Sequence, residues 1–139
     1  MRLSPQKILD VENSFQRQSI MNTFEARLAE IAPGRVVIEA PIVAGARQQH
    51  GFGHAGLTFA LGDSAAGYSA LTTMPEGAEV LTAEMKINLL APARGARLRA
   101  IGEVVRAGRR LIIVRATVCA IEDGKTTEIA LLQGTMIPV

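Results

Sequence analysis

The sequence predicts an α+β fold in which an antiparallel six-stranded sheet curves around one long central helix. Three observations point there. A single stretch, residues 55–71, is helix-compatible and apolar nearly all round its axis, the mark of a buried helix rather than one lying on a surface. Six other runs read as strands bounded by turn-forming residues. The chain has 139 residues, enough for one core and too few for two, so helix and strands share a single domain over residues 1–139.

Ser4 followed by Pro5 has the form of an N-cap with proline at the first helical position, and Ile8, Val11 and Phe15 recur at helical spacing. A short amphipathic helix over about residues 5–20 therefore opens the chain. Phe24, Ala26 and Leu28 alternate with Glu25 and Arg27, Ala32-Pro33-Gly34-Arg35 supplies a turn, and Val36, Val37, Ile38 and Ala40 resume, which makes a β-hairpin. Residues 44–53 hold three glycines with Gln48, Gln49 and His50 and follow no period; they form a loop polar enough to line a site. The buried helix comes next and stops at Pro75-Glu76-Gly77. Strands over residues 80–90, 96–106, 109–121 and 126–139 complete the chain, divided by Ala91-Pro92, Ala107-Gly108 and Asp123-Gly124, a spacing that predicts an antiparallel meander. Such a sheet has edges to cover, and pairing an edge strand with a second copy covers one.

Apolar residues are 48% and charged residues 20% of the chain, which describes a folded globular protein. The net charge of +2 leans weakly towards an anionic ligand. Aromatic residues are 4% with no Trp, so the stacking platforms of single-strand binders are scarce and nucleic acid is not an expected partner. Cys119 is alone, in an apolar run, and reads as a small buried hydrophobe. No basic-then-apolar leader opens the sequence and no window reaches the ~20 apolar residues of a membrane span, so a cytoplasmic protein without a membrane partner is expected. GxSxG, P-loop and GxGxxG motifs are absent.

Two places carry residues suited to carbonyl chemistry. The loop from Gln48 runs through His54 into the helix start at Ala55 and Gly56, where the first backbone N–H groups lack intrahelical partners and sit at the positive end of the dipole. Donors so placed stabilise charge developing on a carbonyl oxygen; a plain glycine-rich connector would have the same composition. The second place is Asp63, between Gly62 and Ser64 inside the apolar helix. A carboxylate there is costly unless paired, so Asp63 either has a chemical task or lies on an exposed stripe with Ser64 and Gly67. A rise of ~1.5 Å per residue separates Asp63 from Ala55 by about 12 Å along the axis, too far for both to touch one carbonyl group. If both act on one substrate they come from different chains, and two antiparallel helices across a two-fold axis give a homodimer with two composite sites. His50 and His54 flank Gly51 and Gly53 without HExxH-like spacing, so no metal is expected. Arg94, Arg97, Arg99, Arg106, Arg109, Arg110 and Arg115 crowd the second half, either as a solvated sheet edge or as a field for a long anion.

The run Gln48-Gln49-His50-Gly51-Phe52-Gly53-His54-Ala55-Gly56 followed by Leu61-Gly62-Asp63-Ser64-Ala65-Ala66-Gly67-Tyr68 resembles the His-Gly-Gly to Asp signature of the PaaI-type (phenylacetate-pathway) hotdog-fold acyl-CoA thioesterases, including the nine-residue step from His54 to Asp63. The stretch from Leu81 to Ala93 resembles that family's strand after the helix, and the likeness covers the chain from Gln48 onward. The resemblance implies a hotdog fold and hydrolysis of aryl- or short/medium-chain acyl-CoA to free acid and CoA. It implies that the amide of Ala55 or Gly56 holds the thioester carbonyl, that Asp63 of the partner subunit activates water or attacks directly, that Thr82 helps place the water, and that His54 lies close by. Gln48 stands where many members have a carbonyl-polarising asparagine, with Gln49 an equal candidate, and Ala55 replaces the first glycine of the pair. Arg94, Arg109 and Arg110 are candidates for the CoA phosphates. No cofactor is implied, CoA being part of the substrate, and dimers are expected to pair into a homotetramer. The alternatives are a non-catalytic acyl-CoA sensor on the same fold, against which Asp63 and Thr82 speak, and a hydratase, which the motif spacing fits less well.

Overall fold

The structure, a computed structural model, describes residues 2–139. Its central helix, α3 (Ala55–Leu71), has the bounds the apolar run predicted. Before it come α1 (Pro5–Arg17) and α2 (Ser19–Thr23), then strands β1 (Arg27–Ala32) and β2 (Arg35–Pro41). After it come β3 (Val80–Leu89), β4 (Arg97–Ala107), β5 (Ile112–Glu122) and β6 (Lys125–Pro138). Ser4 caps α1 by accepting from Lys7 N at 3.0 Å, with Pro5 at the first position. The opening helix is not continuous to residue 20, because Gln18 leaves helical geometry (φ −78°, ψ 98°) and divides α1 from α2.

The six strands form one antiparallel sheet in the order β1-β2-β4-β5-β6-β3. This corrects the four-strand meander: only β4, β5 and β6 follow in sequence, while β3 pairs with β6 at the far edge and β4 extends β2. Residues 90–96, expected as a tight turn, instead cross the end of the sheet. Leu90 N donates to Ile129 O at 2.7 Å, Gly53 N to Ala93 O at 2.9 Å and Ile42 N to Ala96 O at 2.8 Å, so the segment travels from β6 past the helix start to β2. Small residues and a proline without an N–H suit a crossing as well as a turn.

Helix α3 lies on the inner face of the curved sheet, burying Leu57, Leu61 and Ala65 against Ile38, Val114 and Leu132. Contact is so close at Gly102 of β4 that an added Cβ would overlap the Ala65 carbonyl. The outer face carries charge. Glu39 is paired with Arg27 and Arg99, and Glu103 with Arg35 and Arg115. Hydrogen bonding to Arg99, then the nearby guanidinium charges, hold the Glu39 carboxyl below its usual range against the opposing effect of burial. Arg99 and Arg115 are thus committed to carboxylates of their own chain. Cys119 is buried, as its apolar run indicated, and burial raises its thiol pKa. Among the described residues no helix is long and apolar enough to cross a membrane.

Candidate active site

Asp63 faces the first residues of β3. Thr82 Oγ1 donates to its Oδ1 at 2.8 Å, so two residues nineteen apart in sequence form one carboxylate–hydroxyl pair. A β-bulge between Thr82 and Glu84 makes this possible. Thr82 and Met85 both turn inward although three residues apart, which a regular strand forbids; the extra residue restores the phase. Burial raises the Asp63 pKa above its ordinary 3.8, and the Thr82 hydrogen bond partly offsets that rise. Gly67 is buried and Ser64 half-buried, so the exposed stripe offered as the plainer reading of Asp63 does not exist. Around the carboxylate is a cavity of about 280 Å³.

At the other end of β3, a cavity of about 560 Å³ holds Gln48, Phe52, His54 and Ala55 against the crossing segment from Leu89 to Ala93. Gln48 Oε1 accepts from His50 N at 2.6 Å and from Phe52 N at 3.2 Å. Two donors on one atom identify it as the oxygen, which leaves the Nε2 hydrogens for a ligand. Gln49, the equal candidate in sequence, is exposed and does not line this cavity. His54 caps the helix: its Nδ1 accepts from Gly56 N at 2.7 Å, so the neutral ring carries its proton on Nε2. A Cβ on Gly56 would come within 3.0 Å of that nitrogen, and glycine there lets the ring fold back. The two helix-start amides are therefore unequal. Gly56 N–H is engaged by His54, whereas the Ala55 amide has no acceptor among the described residues.

Arg94 lies within the crossing segment, its guanidinium 4.7 Å over the ring of Phe52, which lines the helix-start cavity. Arg109 and Arg110 lie in the exposed β4–β5 turn, at the end of the sheet where Ile112 pairs with Met136, so one chain does not gather the three arginines. Sequence reasoning missed Arg47, which donates to Gly51 O at 2.7 Å and Ile42 O at 2.8 Å and so ties down the loop carrying Gln48. It also missed Ser14, Gln18 and Tyr68, which reach the Asp63 cavity from sites up to 54 residues apart. No local pattern announces such contacts. A larger concavity of about 750 Å³ on the outer sheet face contains neither Asp63 nor the helix start. Among the described residues no three His, Cys, Asp or Glu side chains gather as metal ligands.

The thioesterase superfamily profile matches residues 50–127. A thioesterase family protein from Silicibacter pomeroyi is 42% identical in sequence, with 96% of this chain and 98% of that one covered at a TM-score of 0.94. The E. coli PaaI protein of the phenylacetic acid degradation operon shares the fold at 17% identity, with 99% and 96% covered and a TM-score of 0.86. So does a Bacillus halodurans protein solved with CoA, at 23% identity, 96% and 89% coverage and a TM-score of 0.78. No curated protein sequence matches. The chain belongs to the thioesterase superfamily, with its hotdog fold, and is a thioester hydrolase.

Proposed function

We propose that this protein hydrolyses acyl-CoA thioesters at a site shared by two subunits, with Asp63 of one chain as general base and Gln48 and Ala55 of the other as carbonyl donors. One observation carries this reading. The first residues of β3, Val80 to Thr82, line the Asp63 cavity, its last residue, Leu89, lines the helix-start cavity, and β3 is an edge strand. Antiparallel pairing of β3 with its copy lays the start of one strand beside the end of the other, which joins the half-sites into two complete ones. Leu81 and Leu89, 55% and 57% exposed in the single chain, are then covered. Glu84 and Lys86 stand either side of Met85, so a two-fold axis at Met85 sets opposite charges across the pair. A tetramer built as a dimer of such dimers keeps the same sites.

The thioester carbonyl oxygen accepts from Gln48 Nε2 and the Ala55 amide at the positive end of α3. Across the interface Asp63, kept in place by Thr82, removes a proton from water as its oxygen attacks the carbonyl carbon. The tetrahedral intermediate collapses, the C–S bond breaks, and the thiolate of CoA leaves and takes up a proton, giving acid and thiol. A raised pKa makes Asp63 a stronger base, which favours this role over direct attack. His54 borders the leaving thiol, and Arg94, beside the same cavity, suits the phosphates of CoA, the ligand of the Bacillus halodurans fold relative. Arg109 and Arg110 remain candidates only from the partner's side. Thiol release from aryl-, short- and medium-chain acyl-CoAs, wild type against Asp63→Asn, tests the reading. Turnover lost in a folded variant is expected; saturable binding without thiol release by the wild type would favour a sensor.

A further inference from the structure

The cavity beside Asp63 is polar at its inner end. Tyr68, five residues beyond Asp63 on α3, is 3% exposed, with its ring centroid 6.2 Å from that of Phe15 in α1. Its hydroxyl accepts from Gln18 Nε2 at 2.7 Å and lies 3.1 Å from Ser14 Oγ. Gln18 Nε2 also reaches Ser64 Oγ at 3.5 Å. Gln18 stands at the break between α1 and α2, and from there its side chain reaches α3. Ser14, Gln18, Ser64 and Tyr68 all line the cavity that contains Asp63. The facing wall, with Val80, Leu81 and Met136, is apolar.

Resting on the acyl-CoA thioesterase reading, we propose that Ser14, Gln18 and Tyr68 select the acyl group, so that the site prefers short acyl chains bearing a hydroxyl or oxo oxygen at the end remote from the thioester. The spacing fits: Tyr68 is about 7.5 Å further along the helix axis than Asp63, and a cavity of about 280 Å³ holds a short chain or one ring. Hydroxyl and amide groups both donate and accept, so the cluster can pair with a hydroxyl or a carbonyl oxygen. A hydrocarbon end would strip water from these groups and return no hydrogen bond, which is the basis on which polar sites reject apolar analogues.

The experiment compares kcat/KM for pairs of acyl-CoAs that differ only by a terminal hydroxyl, in wild type, Gln18→Leu and Tyr68→Phe, with thermal unfolding of each. Tyr68→Phe keeps the ring against Phe15 and removes only the oxygen. The wild type is expected to prefer the hydroxylated partner at least about tenfold, and the ratio to approach one in both variants. Equal turnover of each pair by the wild type overturns the proposal. So does a preference unchanged in both variants while the unfolding temperature falls, since the cluster would then only tie α1 to α3. Absence of thiol release from every acyl-CoA would remove the thioesterase reading together with this one, whereas turnover without discrimination removes this one alone.

Discussion

The cavity at the start of α3 and the cavity around Asp63 are built from neighbouring stretches of chain, yet their chemistry is opposite. The first offers hydrogen-bond donors, Gln48 Nε2 and the Ala55 amide, and no carboxylate lines it. The second offers a carboxylate that holds its proton more tightly than usual, a hydroxyl that orients it, and a polar inner end. Hydrolysis of a thioester needs a polarised carbonyl and a base at once. Neither cavity supplies both, and eight residues of rigid helix keep them about 12 Å apart within a chain. Under the shared-site proposal, the division makes completing the site a matter of assembly, not of local rearrangement.

Changes that break this division differ in how much they remove. Gly102→Ala acts on both cavities by pushing α3 off the sheet; overpacking of this kind costs about 3 kcal/mol or more, and denaturant unfolding should read it as a large loss of stability with loss of all activity. Asp63→Asn removes only the base. We expect kcat to fall about 10³-fold, while stability at neutral pH rises. The sign follows from the raised native pKa: the native state binds the Asp63 proton more tightly than the unfolded chain, so stability declines as pH climbs from 3.8 through the native value. Asparagine lacks that decline, and the variant's advantage should shrink below pH 3.8, where both states of the wild type are protonated. The acid limb of the wild-type pH–rate profile should lie above 3.8 for the same reason.

Gln48→Leu removes one donor from the opposite half. A fall in kcat of about 10²-fold is expected, with the acid limb unmoved because Asp63 is untouched. Thr82→Val should be mildest, about tenfold in kcat. Because the Thr82 hydrogen bond holds the Asp63 pKa down, its loss should move the acid limb to higher pH. A limb that moved in Gln48→Leu and stayed in Thr82→Val would invert the assignment of the two halves.

Much of this was legible in the sequence, for physical reasons that also mark its limits. Helix α3 could be bounded because an all-round apolar run has one stable setting, and Asp63 stood out within it because a carboxylate there is costly. The strands were placed to within three residues at their starts by turn residues such as Asp123 and Gly124, both at positive φ. Their order was not legible, since residues 90–96 have the same local chemistry as a turn or as a crossing. Thr82 came only from resemblance, as a residue that helps place the water, and its hydrogen bond to Asp63 was not legible, for the bulge that turns Thr82 inward leaves no local mark. Gln18 and Tyr68 meet across 50 residues, which no spacing rule anticipates, whereas the local hydrogen bond of His54 to the Gly56 amide is what a residue at the N-cap position offers.

Subunit complementation tests the shared site most directly. Asp63→Asn and Gln48→Leu chains, each nearly inactive alone, are co-expressed and the mixed dimers assayed for thiol release. In a mixed dimer both changes fall in one composite site and the other is intact, so a random mixture should recover about one quarter of wild-type activity. Activity no greater than the sum of the two parent variants, in a preparation shown to contain mixed dimers, would mean that each chain carries a whole site and would contradict the account.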